Sequence, residues 1–162
     1  TLLQIAPVSR TEVGEYRDLQ HELEGIAGSI NGRHAEPDWT PLRYVNRAYP
    51  HSTLTGFMRM ARVGVVTPLR DGMNLVAKEY LACQDPEDPG ALVLSRFAGA
   101  ARELEGAILV NPHDIDGMAG AFRAALSLSL EERKARWDGM MDVLRRNDIL
   151  AWRAAFLAAL AA

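Results

Sequence analysis

Cysteine is almost absent from this sequence of 162 residues: Cys83 stands alone, so neither an internal disulfide nor a thiolate metal site is available. That scarcity points to a reducing, cytoplasmic compartment. Positive charge is not in excess either, since 18 Lys+Arg face 21 Asp+Glu for a net charge of −3. Without surplus cations to neutralise phosphates, a nucleic-acid partner is not expected. No apolar run approaches the ~18–20 residues of a membrane span, so no membrane association is expected. The first residues lack the charged and apolar regions of a secretory signal. No G-x-G-x-x-G follows a strand pattern, which disfavours a nicotinamide-dependent oxidoreductase. His21, His34, His51 and His113 are scattered without ligand spacing, and no metal is expected.

What remains is a chain of one-domain size, 48% hydrophobic, whose apolar runs alternate between two periods. Residues 2–6, 42–47, 63–67, 91–94 and 107–110 read as five strands, the third ending at Pro68. Between them the spacing predicts helices. Val13, Tyr16, Leu19, Leu23, Ile26 and Ile30 form one face, capped by Ser9 or Thr11, with Gly32 near its end. Leu54, Phe57, Met58 and Ala61 form a second face, weakened by Gly56, and Leu75, Val76, Tyr80 and Leu81 a third. Residues 32–41 and the acidic 85–89 (DPEDP) read as loops. From Asp114 the pattern is helical only, with a capped start at Ser129 and a last helix from near Asp148 that buries Trp152, Phe156 and Leu160. Near-continuous strands alternating with helices predict an α/β fold, a doubly wound parallel sheet with helices on both faces.

Such sheets bind ligands beyond the carboxyl ends of their strands. Of those ends, residues 67–74 (TPLRDGMN) carry the most chemistry. Gly72 lets backbone approach a ligand, and the amides of Gly72, Met73 and Asn74 would be unpaired first-turn donors at the positive end of a helix dipole. That suits a diphosphate. Glu79 lies eight residues after Asp71, about 12 Å along a helix at about 1.5 Å per residue. The two carboxylates are spaced to take sugar hydroxyls on either side of a diphosphate. From the residues alone a plainer account stays open, in which Asp71 caps the helix and Glu79 is a solvated surface residue. The small residues around 97–100 fit close ligand approach and a packing turn equally well.

VGVVTPLRDGMNLVAKEYLACQ (63–84) resembles the donor-binding segment of the trehalose-6-phosphate synthases, retaining glycosyltransferases of the GT-B fold. The likeness continues in LVLSRFAGAARELEGAILVNPHD (92–114), LLQIAPVSRTEVGEY (2–16) and INGRHAEPDWTPLRYV (30–45). The resemblance implies transfer of glucose from UDP-glucose to glucose 6-phosphate with retention, giving trehalose 6-phosphate. It implies no cofactor beyond the nucleotide-sugar co-substrate. Asp71 would be the catalytic-site acid that holds hydroxyls of the donor glucose. The amides of Gly72, Met73 and Asn74 would face the diphosphate, and Leu75, Val76, Ala77 and Lys78 would continue the donor site to Glu79, which takes the ribose hydroxyls. Tyr49 matches a position whose backbone lies near the uracil base. Arg10 matches an arginine on the phosphate of glucose 6-phosphate, a pairing that suits a guanidinium.

The likeness also implies that the chain is the C-terminal half of a GT-B fold. Residues 1–145 would form a Rossmann-like nucleotide-sugar-binding domain, incomplete at its N-terminal side. Residues 146–162 would form a helix crossing back to an N-terminal domain, the expected intramolecular partner. The absent strand-loop carries an arginine and a lysine that neutralise the diphosphate, so the sheet should show a gap or an open edge, and the chain alone should not turn over. Pro50, His51, Ser52 and Thr53 replace the charged residues that often follow the aromatic position. Left uncovered, the apolar face of the last helix is a route to a homo-oligomer. The alternative from another class is a non-catalytic Rossmann-like regulatory or assembly module. Cys83 reads as a packed small residue and Trp39 as a loop anchor.

Overall fold

The computed structural model describes residues 1–7 and 14–161. The chain divides into two compact units, Thr1–Pro50 and His51–Ala162. Among the described residues all strand pairs are parallel, in one two-stranded and one three-stranded sheet, as an α/β fold of alternating strands and helices should have.

In the first unit β1 (Leu2–Ile5) pairs with β2 (Leu42–Val45), Leu2 opposite Leu42 and Ile5 opposite Val45. Between them runs α1 (Gly14–His34), which continues past Gly32 into the segment expected as loop. Two basic residues in its last turn, Arg33 and His34, suit the negative end of the helix dipole, and Arg33 also donates to the Ser29 carbonyl. Asn31 joins helix to sheet with both ends of its amide. Its Nδ2 donates to the Leu42 carbonyl at 2.9 Å and its Oδ1 accepts from the Leu42 amide at 3.1 Å. Trp39 is exposed, and what anchors its loop is backbone pairing with Glu36 rather than the ring. The proposed caps Ser9 and Thr11, and Val13 of the predicted face, lie outside the described residues.

In the second unit the order is β3 (Val63–Val66), β4 (Ala91–Ser95), β5 (Ile108–Val110), with β4 central and all five of its residues buried. Alternation along β4 sends its side chains to two faces. Leu92 and Leu94 pack with Tyr80 and Leu81 of α3 (Leu75–Cys83) and with Trp137 and Met140 of α5 (Leu130–Arg146). Ala91 and Val93 pack with Ala121 and Ala125 of α4 (Ile115–Ser127). The sheet is thus covered on both faces. At the strand starts, Gly64 and Gly90 leave room for the Tyr80 ring, whose hydroxyl donates to the Ala61 carbonyl at 2.9 Å. Burial pushes the Tyr80 phenol well above its ordinary value.

The loop at 85–89 is held by charge. Arg59 of α2 (His51–Met60) meets Asp85 at 2.6 Å, and Asp88 accepts from buried Arg133 at 2.7 Å and from Arg62 at 3.2 Å. Buried Gln84 spends its whole amide locally, donating to Met58 and Tyr80 carbonyls and accepting from the Gly90 amide. Helix starts fall where cap residues stand: Asp114 for α4, a Ser129/Glu132 capping box for α5, and Asp148 for α6 (Ile149–Leu160). One expectation fails here. No residue of α6 is buried, and Trp152 and Phe156 stack on each other, ring centroids 5.2 Å apart, with both rings about half exposed. The helical face exists, but no described residue covers it. No described helix is long and apolar enough to cross a membrane.

Candidate functional site

Beyond the carboxyl end of β3 the chain passes through Asp71 and Gly72 into α3, and the turn is built by side chains of its own residues. Asp71 Oδ1 accepts from the Met73 amide at 3.0 Å, and Asp71 Oδ2 accepts from Asn74 Nδ2 at 3.0 Å. Asn74 in turn caps α3, its Oδ1 accepting from the Ala77 amide at 3.0 Å. Only one orientation of the Asn74 amide serves both partners. To reach them Asn74 adopts φ 76°, the one non-glycine residue with positive φ among those described. Asparagine is among the few residues that tolerate that region, at a cost of about 1–2 kcal/mol.

This arrangement corrects the expectation for the first-turn donors. The Met73 amide is occupied by Asp71, and the helix begins one residue after Asn74. The amides of Gly72, Asn74, Leu75 and Val76 donate to no described residue, so the unpaired donors lie slightly further along the chain than spacing suggested. Leu75 and Val76 are 59% and 48% exposed, leaving those amides at an open helix end. Each Asp71 oxygen has one lone pair engaged and another free to accept a hydroxyl.

Of the other predicted donor residues, Glu79 is exposed and sits one turn after Leu75 and Val76 on the outward side of α3, since Ala77, Tyr80 and Leu81 are the buried ones. Its charge adds to burial in raising the Cys83 thiol above its ordinary value. Ala77 is fully buried and its amide is taken by Asn74, so it offers no free group. Lys78 is turned to Glu103, Nζ to Oε2 2.9 Å. Tyr49 belongs to the first unit, where the Arg47 guanidinium lies 4.7 Å from its ring centroid. Arg10 lies outside the described residues.

The adjacent strand end is tied to this turn. Asp71 forms a parallel bridge with Ala98: the Asp71 amide donates to the Phe97 carbonyl at 3.2 Å and the Gly99 amide to the Asp71 carbonyl at 3.0 Å. The Ala100 amide then donates to the Met73 carbonyl at 2.7 Å, at the start of a 3-10 turn, Gly99–Arg102. A Cβ on Gly99 would clash with the Gly72 carbonyl oxygen and lie 2.8 Å from the Gly72 carbonyl carbon and 3.2 Å from Met73 Cα. The question left open for residues 97–100 is thus resolved toward packing, because what approaches Gly99 closely is protein backbone. Phe97 is partly exposed at the same edge, its ring 6.1 Å from that of His113 beyond β5. Asn74 as an orienting cap was the feature sequence reasoning missed. The signal was present in the asparagine three residues after an aspartate at a helix start.

The whole chain, residues 1–162, matches the glycosyltransferase family 20. A trehalose-6-phosphate synthase of Sinorhizobium fredii is 57% identical over 157 residues, which cover 97% of this chain and 34% of that protein. The chain therefore spans about a third of the length of the curated relatives it matches. Among solved structures, the UDP-forming α,α-trehalose-phosphate synthase of Burkholderia xenovorans in complex with glucose-6-phosphate superposes with a TM-score of 0.94 at 57% identity, covering 99% of this chain and 35% of that one. An E. coli trehalose-6-phosphate structure bound with UDP-2-fluoro glucose gives 0.94 at 52% identity, over 98% of this chain and 35% of that one. With the match running through both units and both strand-end loops, this chain belongs to glycosyltransferase family 20.

Proposed function

We propose that this chain forms the donor-binding part of a retaining glucosyltransferase that moves glucose from UDP-glucose to glucose 6-phosphate, giving trehalose 6-phosphate. The observation that carries the proposal is the turn at residues 71–76. A carboxylate held at both oxygens stands beside four amides without an acceptor among the described residues, at the exposed start of a helix, in a chain 57% identical to a trehalose-6-phosphate synthase.

In this reading Asp71 accepts hydroxyls of the donor glucose through its free lone pairs. The amides of Gly72, Asn74, Leu75 and Val76 and the positive end of α3 face the diphosphate. Glu79 takes the ribose hydroxyls, Tyr49 lends backbone near the base, and Arg10 holds the acceptor phosphate. Met73 and Ala77 serve through the bonds that shape the turn, and Lys78 through its pair with Glu103. No protein nucleophile is required. Charge develops on the leaving diphosphate, and donors already fixed in direction stabilise it without reorganising. The acceptor hydroxyl attacks from the side the leaving group vacates, which gives retention. The partner is the remainder of a longer gene product, which adds the cations on the other side of the diphosphate. The compartment is the cytoplasm.

The test is calorimetric titration of the full-length gene product with UDP-glucose. Hydrogen bonds to a charged group are worth about 1.5–3 kcal/mol, so Asp71→Ala and Glu79→Ala should each weaken binding at least about tenfold. Affinities equal to wild type in both variants would remove the assignment.

A further inference from the structure

Donor-site geometry has a source outside the 71–79 segment. Three backbone hydrogen bonds tie residues 71–73 to residues 97–100, one of them only 2.7 Å long. They fix the turn from beneath, while Asn74 and Met73 fix the Asp71 carboxylate. The tie depends on Gly99, because a Cβ there would clash with the Gly72 carbonyl. Ala98 and Ala100, on either side, are buried in the same core as Leu94 and Tyr80, so the 97–100 segment cannot retreat to make room. A side chain at Gly99 would therefore push the Gly72–Met73 backbone, and with it Asp71 and the free Gly72 amide.

We propose that Gly99 is a positioning residue for the sugar-donor turn: it touches no substrate and sets where Asp71 and the amides beyond it stand. The inference rests on the donor role assigned to Asp71, and it adds that this role requires contact with a second strand end. Gly106 is also crowded by backbone but lies away from that edge. Gly106, just before β5, would set a Cβ 2.7 Å from the Arg136 carbonyl oxygen of α5. Gly106→Ala is thus a control for crowding as such, carrying a milder steric conflict with backbone at the opposite ends of the strands.

The experiment compares Gly99→Ala, Gly106→Ala and Asp71→Ala in the full-length gene product, with KM for UDP-glucose, kcat and thermal midpoint measured for each. Displacement of a reacting group by about 1 Å costs roughly a hundredfold in rate. Gly99→Ala should therefore lower kcat/KM for UDP-glucose ten- to a hundredfold, while Gly106→Ala lowers the thermal midpoint and leaves KM within about twofold. If both glycine variants lose stability and neither changes kcat/KM for UDP-glucose, the proposal is overturned. If Asp71→Ala also leaves kcat/KM for UDP-glucose unchanged, the donor site itself has been misassigned. Should Gly99→Ala not fold, hydrogen exchange on the wild type decides. UDP-glucose should slow exchange of the Gly99 and Ala100 amides, which bond to the donor turn, and unchanged rates at saturating UDP-glucose would overturn the proposal.

Discussion

The two units make the same kind of strand and treat it differently. β1 is an apolar run, LLQI, yet Leu2 and Leu3 are 45% and 40% exposed, whereas every residue of β4, ALVLS, is buried. Among the described residues of the first unit only Ala27 counts as buried, at 7% exposure. The second unit sandwiches its sheet between α3 and α5 on one face and α4 on the other. Apolar patterning states which side chains favour cover, while burial depends on a layer being there to provide it. The first unit combines directional bonds such as the Asn31 clamp with apolar side chains that, Ala27 apart, are at most half-buried among those described, whereas the second has a fully buried apolar core. The turn at residues 71–76 belongs to the second unit and is tied to residues 97–100, just beyond its buried strand β4.

The largest expected effect follows from this contrast. Leu94→Ala, at the centre of the second unit, should cost about 3 kcal/mol in urea unfolding of the 162-residue chain, and Leu3→Ala no more than about 0.5 kcal/mol. Equal losses would break the comparison. Next comes the helix cap. Asn74→Ala loses its bond to the Ala77 amide and keeps the unfavourable φ, for about 1–2 kcal/mol. Asn74→Gly loses the bond but relieves the φ, and should be milder by about 1 kcal/mol. Both variants free Asp71 Oδ2 and should weaken UDP-glucose binding alike, which separates the cap's stability effect from its orienting one. In the first unit Asn31→Ala removes two bonds to Leu42, and amide exchange in β1 and β2 should quicken about fivefold or more. No change there would mean that apolar contacts hold that unit as well.

The smallest effect is a pH dependence in the second unit. A hydrogen bond from buried Arg133 holds the exposed Asp88 carboxyl below the usual carboxylate range. A group whose folded pKa is depressed contributes stability above its unfolded pKa and loses it as pH falls through the folded value. The gap in thermal midpoint between wild type and Asp88→Asn should therefore close on acidification. A gap that widened in acid would contradict the linkage.

Local signals were enough for much of this fold. The five strands, the capped start at Ser129 and the helix starts near Asp114 and Asp148 follow from residues within a few positions of one another. The expected face of α3 is only half right: Tyr80 and Leu81 are buried with Ala77, while Leu75 and Val76 are exposed at the open helix start. The carboxylate–glycine turn at Asp71–Gly72 was visible for the same reason. What sequence could not supply was long-range. The hydrogen bonds that tie residues 71–73 to residues 97–100 join positions more than twenty apart, where no local pattern reports them. Whether Gly99 makes room for ligand or for backbone is likewise invisible until β3 and β4 are in register. The exposed ring pair on α6 is the reverse case, a face whose pattern was right and whose cover no periodicity can guarantee.

The most direct measurement is a crystal structure of the full-length gene product with UDP-glucose bound. The diphosphate oxygens should lie within hydrogen-bond distance of the Leu75 and Val76 amides, with the glucose hydroxyls on Asp71 and the ribose on Glu79. A nucleotide sugar seated elsewhere, with the start of α3 facing only solvent, would contradict the account.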